Sequence, residues 1–368
     1  MTKKKVGIIF GGKSAEHEVS LQSAKNIVDA IDKDKYDVVL LGIDKQGKWH
    51  LNDQSSYLLN AENPKLIQLN KSNENVAIVP GEDGKQLIHA TNAANLEQLD
   101  VVFPIVHGTL GEDGSLQGML RIANLPFVGA SVLGSSICMD KEIAKRLLEA
   151  AGINVAKGFA FKKSKKDKIV YEDIVAQLGT PMFIKPANQG SSVGVSKVSN
   201  KEEFEAGIAA AFQYDHKVII EEGLVGREVE CSVLGNSDPI ASLPGEILPR
   251  TEFYSYESKY IDETGAELAI PASLSDEMVA KVQQTAIKAF EALQCEGLAR
   301  VDFFLTEQGE VYVNEVNTLP GFTRISMYPK LWEVSGISYP ELIDRLIQLA
   351  IERHENDKML KSAVWDEE

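Results

Sequence analysis

Two carboxylates, an amide and a guanidinium recur at alternating positions between residues 298 and 317, where two apolar runs flank the turn Glu307-Gln308-Gly309-Glu310. Such runs around a glycine turn form a β-hairpin. With Gln308-Gly309 as a two-residue loop, Arg300 falls opposite Asn317 and Asp302 opposite Glu315. Residues two apart share a strand face, so Arg300, Asp302, Glu315 and Asn317 converge on one patch. Carboxylates held side by side repel unless a cation lies between them. Hard oxygen donors of this kind suit magnesium, with substrate phosphates completing the octahedron. The competing reading is a cross-strand ion pair of Arg300 with Asp302 or Glu315 on a wet sheet face, and a three-residue loop would shift the register and scatter the four groups. Directly after the cluster, Asn317-Thr-Leu-Pro-Gly321 is a polar loop able to turn backbone N–H groups toward a ligand.

Four other segments could carry chemistry. Lys185-Pro-Ala-Asn-Gln-Gly-Ser-Ser-Val-Gly194 has glycines at 190 and 194 that let the backbone wrap an anion, with Ser191 and Ser192 as donors and Lys185 as a point charge. It lacks the Gly-Lys-Ser/Thr of a P-loop, and a Gly/Ser hairpin turn is the plain alternative. Gly11-Gly-Lys-Ser-Ala-Glu-His-Glu18 is the first strand-to-helix turn, without dinucleotide glycine spacing; Glu16 and Glu18 there also suit a helix dipole. His107-Gly108 ends the strand-like run 101–106, where a lone histidine is as readily a hydrogen-bonded core residue. Residues 250–265, with Tyr254, Tyr256, Lys259 and Tyr260, read as a lid or as a surface excursion.

The elements that must position these groups follow from periodicity. Continuous apolar runs at 6–10, 38–43 and 101–106 alternate with helical patterns, the clearest at 19–31, which predicts a parallel sheet covered on both faces. Residues 45–98 are polar and poorly periodic, an excursion expected to hold little chemistry. One helix is predicted over 135–151, closed by Gly152, and the basic stretch 162–168 is a solvated turn. Strands at 182–186, 218–222 and 228–234, a helix at 201–212, a helix near 275–293 and a final amphipathic helix from 340 to 358 give α+β material with antiparallel pairing. The 368 residues carry a formal charge of −16, which opposes nucleic-acid binding. No apolar run is long enough to span a membrane and the basic start lacks a signal core, so the expectation is a cytoplasmic protein. Cys138, Cys231 and Cys295 match neither a disulfide framework nor a zinc spacing and are read as small buried hydrophobes.

In order along the chain, residues 11–20, His107-Gly-Thr-Leu-Gly-Glu-Asp-Gly114, Met139-Asp-Lys141, residues 185–194, Ser258-Lys-Tyr260, Ala299-Arg-Val-Asp302 and Asn314-Glu-Val-Asn-Thr-Leu-Pro-Gly321 resemble the D-alanine–D-alanine ligases of the ATP-grasp superfamily, in the form with a longer first domain. The resemblance implies an N-terminal parallel α/β domain (1–134) followed by a two-lobed ATP-grasp fold, with a central lobe (135–224) and a C-terminal lobe (225–368) bearing a lid at 250–264. It implies ATP-dependent joining of two D-alanines through an acyl phosphate, giving ADP and phosphate, for peptidoglycan precursor synthesis.

By the same resemblance, two magnesium or manganese ions sit on Asp302, Glu315 and Asn317. Lys141, Lys185 and Lys259 meet the phosphates, with Ser192 and Asn314 also on the nucleotide. Adenine lies on the hinge with Glu221, Glu222 and Leu224, and Glu228 binds ribose. Glu16 pairs with the first ammonium beside His107, Ser326 holds the second carboxylate, and Arg300 with the Gly321 N–H stabilises the oxyanion. Ser191 and Tyr260 link with Glu16 in a closing hydrogen-bond chain. A homodimer is implied. A D-alanine–D-lactate ligase is the neighbouring alternative, disfavoured by Tyr260, and a nucleotide-binding oxidoreductase or an amino-acid sensor the remoter ones.

Overall fold

The computed structural model describes residues 2–80, 84–96, 98–249, 266–323 and 325–361. The expected lid, with Lys259 and Tyr260, therefore lies outside the described residues.

The first sheet has the order Trp49–Asn52, Tyr36–Ile43, Lys4–Gly11, Val101–Ile105, parallel except for the antiparallel edge strand Trp49–Asn52. After Lys4 and Lys5 its central strand is apolar and buried, because both faces are covered there. Val6, Ile8 and Phe10 face a core shared with the helices His17–Ala30 and Tyr339–Lys358, while Ile9 faces a second core with Leu116 and Leu120 of the helix Ser115–Ile122. The last helix of the chain thus packs on the first domain. Arg353 extends this seam, donating to Gly129 O at 2.5 Å and Phe127 O at 2.8 Å. The excursion after residue 45 supplies the edge strand and two small two-stranded sheets.

Two antiparallel sheets follow. One has the order Ser196–Val198, Met182–Pro186, Lys217–Glu222, Gly158–Lys162, with the helix Lys201–Tyr214 against it. Met182 and Ile184 are buried under that helix, so the alternating Phe183 and Lys185 face the other way. The other contains Ala266–Ala269, Gly245–Pro249, Arg227–Gly235, Gly297–Leu305 and Val311–Asn317, with the helix Asp276–Ala292 against one face. The basic stretch is the exposed 3-10 turn Lys163–Lys168.

The single helix expected over 135–151 is two helices, Val132–Met139 and Lys141–Ala150. Asp140 breaks it. Its backbone is extended, and its carboxylate accepts the Ile143 N–H at 3.2 Å and the Lys217 ammonium at 2.6 Å, making it the N-cap of the second helix. Gly152 does close that helix in the left-handed region, with φ +70°. The helix Met327–Val334 is not evident from the sequence because Pro329 interrupts its pattern; in a first turn proline costs no intrahelical bond. All three cysteines are buried and reduced, and Cys138 and Cys295 bring their Sγ atoms within 3.5 Å. Their mutual hydrogen bond and burial push the Cys138 thiol up, well above its ordinary value.

Candidate active site

The hairpin reaches the expected register by a different route. The turn is a three-residue loop: Thr306 N–H donates to Glu310 O at 3.0 Å, and Gly309 takes φ +77°, as the third loop position of this turn requires. Left alone, that loop would pair Asp302 with Asn314. A β-bulge between Asp302 and Phe303 adds one residue on the facing strand, so Phe303 pairs with Val313 while Asp302 pairs with Glu315 and Arg300 with Asn317. The expected two-residue turn is thus corrected, and the pairing it predicted is restored by the extra Asn314. Asn314 and Glu315 are consecutive yet both line the same cleft.

That cleft is lined by Glu16 and His107 beside the first sheet, Lys141 at the start of its helix, Ser191 from the loop after the strand Met182–Pro186, and Glu228, Arg300, Asp302, Asn314, Glu315, Asn317, Gly321 and Ser326 from the sheet with the hairpin and the segment that follows it. Arg300 forms a two-pronged pair with Asp302, both contacts 2.6 Å, and also meets Glu230 at 2.9 Å. The ion pair exists, then, but in a sheltered cleft rather than on a wet face, with the two side chains only 16% and 13% exposed. Asp302 and Glu315 point to the same side. Among the described residues no three His, Cys, Asp or Glu side chains gather as a metal cluster. Two carboxylates with the Asn317 amide form an incomplete oxygen set, the kind that holds magnesium when substrate phosphates supply further ligands.

Lys141 donates to Gln189 O at 2.7 Å and lies 3.5 Å from Glu315. Lys185 is not among the lining residues; its ammonium lies 3.3 Å from Asn314 Oδ1 and 2.9 Å from Glu221. Glu221 is 2% exposed and also meets Lys145 at 2.6 Å. Burial opposes its ionisation, but the Lys145 and Lys185 ammonium groups overcome that and hold it down at about 2. Burial, with the neighbouring Lys185 charge, lowers Lys145, whereas Glu221 keeps Lys185 raised in spite of its burial. The Glu221 side chain is thus engaged with two lysines. Glu222, Leu224 and Ser192 do not line the cleft, and Glu222 accepts the Lys157 N–H at 2.8 Å.

Glu16 stands just before the first helix and accepts a hydrogen bond from Ser191, 175 residues further along the chain. Ser191 and Ser192 both take left-handed backbones, with φ +52° and +60°. This turns the Gly190–Ser192 bend toward Glu16. Gly108 sits equally close: a Cβ there would lie 2.6 Å from Glu16 Oε2. His107 is buried, with Nδ1 3.1 Å from Leu319 O and 3.4 Å from Glu112. Burial disfavours its charged form, but the adjacent Glu112 carboxylate outweighs this and keeps the imidazole raised. Burial raises Glu112 in turn. Ser326 is the N-cap residue of the helix Met327–Val334 and its Oγ lies 2.9 Å from the Thr323 nitrogen.

The sequence reading gave no role to Glu230, Glu112 or Lys145. Glu230 alternates with Glu228, and Lys145 lies one helical turn from Lys141, so these two carried a spacing signal, whereas Glu112 carried none.

Known proteins match nearly the whole chain. Residues 5–130 match the family described as D-ala D-ala ligase N-terminus, and residues 147–348 the family described as D-ala D-ala ligase C-terminus. A D-alanine--D-alanine ligase of Oceanobacillus iheyensis is 67% identical, covering 99% of this chain and 100% of its own. Among solved structures, the VanG D-Ala:D-Ser ligase from Enterococcus faecalis superposes with TM-score 0.84 at 38% identity, covering 95% of this chain and 100% of that one. The Bacillus anthracis D-alanine--D-alanine ligase complexed with ATP gives TM-score 0.72 at 28% identity, covering 97% and 100%. With both halves matched and the fold that of an ATP-grasp ligase, the chain belongs to the D-alanine–D-alanine ligase family.

Proposed function

We infer that this protein is the ATP-dependent enzyme that joins two D-alanines into D-alanyl-D-alanine. The observation that carries the site assignment is the meeting, in one cleft, of Glu16, Lys141, the Arg300–Asn317 hairpin, Gly321 and Ser326 from separate parts of the chain. A carboxylate is a poor electrophile until one of its oxygens becomes a good leaving group. Its oxygen attacks the γ-phosphorus of ATP, the bond to ADP breaks, and an acyl phosphate forms. The amine of the second D-alanine then attacks the acyl carbon, and phosphate leaves with the former carboxylate oxygen.

In this reading Glu16, held by Ser191, pairs with the ammonium group of the first D-alanine beside His107. Lys141 and Lys185 take phosphate charge, with Ser192, Asn314 and, from outside the described residues, Lys259. Arg300 and the Gly321 N–H meet the oxyanion; one such donor contributes roughly 2.7–4 kcal/mol in other enzymes. Ser326 stands at a helix N-terminus, a natural seat for the second carboxylate. Asp302, Glu315 and Asn317 hold magnesium or manganese, which when bound neutralises charge on the phosphates. Glu228 takes ribose and the hinge Glu221, Glu222 and Leu224 the adenine; Tyr260 joins Glu16 and Ser191.

The same proposal includes the division at 134 and 224, a homodimer, and a cytoplasmic location. No helix among the described residues is long and apolar enough to cross a membrane.

With ATP, magnesium and D-alanine, dipeptide and phosphate should appear in equal amounts. ADP release without dipeptide contradicts the reading. D-lactate or D-serine offered against D-alanine near neutral pH should yield less product. Gly108→Ala puts a Cβ against Glu16 at a left-handed φ, so stability should fall by about 1–2 kcal/mol. KM for D-alanine should rise more than KM for ATP.

A further inference from the structure

The loop that carries Gly321 belongs to the C-terminal lobe, yet the first domain holds it. Leu319, Pro320 and Phe322 are buried, leaving Gly321 as the partly exposed residue facing the cleft. On one side of Gly321, Leu319 O accepts from His107 Nδ1 at 3.1 Å. On the other, the Phe322 N–H donates to Ser23 Oγ at 3.2 Å. Ser23 and His107 are themselves joined, Oγ to Nε2, at 3.1 Å. Ser23 is fully buried in the helix His17–Ala30, directly behind His107, and does not itself line the cleft.

The two contacts to the backbone have directions fixed by chemistry. A carbonyl oxygen can only accept, so His107 Nδ1 carries hydrogen toward Leu319 O. The Phe322 N–H can only donate, so Ser23 Oγ receives it; Ser23 and His107 Nε2 stay joined whether the hydroxyl donates to a neutral imidazole or a charged one donates to Ser23. The result is one closed ring of hydrogen bonds: Phe322 N–H to Ser23, Ser23 with His107, His107 to Leu319 O. It grips the chain one residue after Gly321 and two residues before it. Proline at 320 fixes φ between the two grips. The Phe322 carbonyl is also held, by Asn26 at 3.1 Å and Tyr339 OH at 2.8 Å.

We propose that Ser23 and His107 are positioning residues, a buried clamp by which the first domain sets the direction of the Gly321 N–H at the carbon where the new bond forms. This rests on the reading of Gly321 as an oxyanion donor. A donor of that kind acts on the tetrahedral arrangement and hardly on the planar substrate, so its misplacement weakens binding of the former alone. Neither clamp residue touches the oxyanion. The clamp also gives a reason for first-domain docking: the donor is aligned only when the domain that binds the first D-alanine is seated.

The test is Ser23→Ala, together with Ser23→Cys, which keeps the volume with a weak hydrogen-bonding sulfur. The probe is a phosphinate analogue of D-alanyl-D-alanine, in which a tetrahedral phosphinate replaces the reacting carbonyl. Both variants should lose roughly 10- to 100-fold in kcat and by a similar factor in phosphinate affinity, while KM for ATP and D-alanine moves by less than about threefold. A merely structural serine would lower thermal stability and leave the phosphinate-to-substrate affinity ratio intact; that result overturns the proposal. Gly321→Pro removes the N–H itself. If it binds phosphinate as tightly as the parent, the donor reading fails and the clamp with it. If it loses phosphinate affinity while the Ser23 variants do not, the clamp alone fails.

Discussion

Asp302→Asn and Glu315→Gln should each reduce dipeptide formation by about 10²- to 10⁴-fold while leaving a folded protein. Each change is nearly isosteric and removes one formal negative charge from a hairpin whose opposing residues are Asp302 and Glu315. The loss follows from cation binding, since charge neutralisation at a phosphoryl group contributes several kcal/mol and each ~1.4 kcal/mol is a factor of ten. The fold survives because the core side of these strands is formed by Val301, Phe303, Val313 and Val316, not by the cleft carboxylates. Asp302→Asn has a second consequence. Arg300 loses its two-pronged partner and retains Glu230 at 2.9 Å. Manganese affinity, followed by electron paramagnetic resonance in the presence of ATP, should fall in both variants. Unchanged turnover and unchanged manganese affinity in both would remove these residues from the metal site.

Glu221→Ala should be the most destabilising single change outside the apolar core, by about 3–5 kcal/mol in urea unfolding. It leaves Lys145 and Lys185 buried beside one another without the carboxylate that meets them at 2.6 and 2.9 Å. The pH dependence has a definite sign. Glu221 is held at about 2, below its ordinary value of 4.5, so its contribution is complete above about pH 4.5 and is lost as pH falls toward 2. That shift corresponds to about 3 kcal/mol. The difference in stability between parent and Glu221→Ala should therefore shrink on acidification through that window. A difference that stays constant from pH 6 to pH 3 would show that the carboxylate is not held by its lysines.

How much of this was legible without coordinates depends on the range of each interaction. The three parallel strands of the first sheet and the longer helices were readable because burial on one or two faces writes itself into local periodicity, as in the continuous run through Ile8, Ile9 and Phe10, whereas the edge strand Trp49–Asn52 and the eight-residue helices Ser115–Ile122 and Tyr171–Leu178 were not. The hairpin site was readable too, although its loop is one residue longer than expected and the bulge at Asn314 compensates. Nothing local announces such a bulge. The helix break at Asp140 depends partly on Lys217, and the burial of Glu221 on Lys145 and Lys185, all distant in sequence. Cys138 and Cys295 are 157 residues apart, so their 3.5 Å approach had no sequence signature. The order of the motifs carried the family, while the hydrogen-bonded ring from Ser23 through His107 to Leu319 required the fold.

The central claim is that ATP activates a carboxylate by transferring its γ-phosphoryl group to it. D-alanine labelled with ¹⁸O in both carboxylate oxygens, incubated with enzyme, magnesium and unlabelled ATP, tests this directly. Mass analysis of the released inorganic phosphate should find one ¹⁸O per phosphate for each dipeptide formed. Phosphate carrying no label, with dipeptide still produced, would contradict the account.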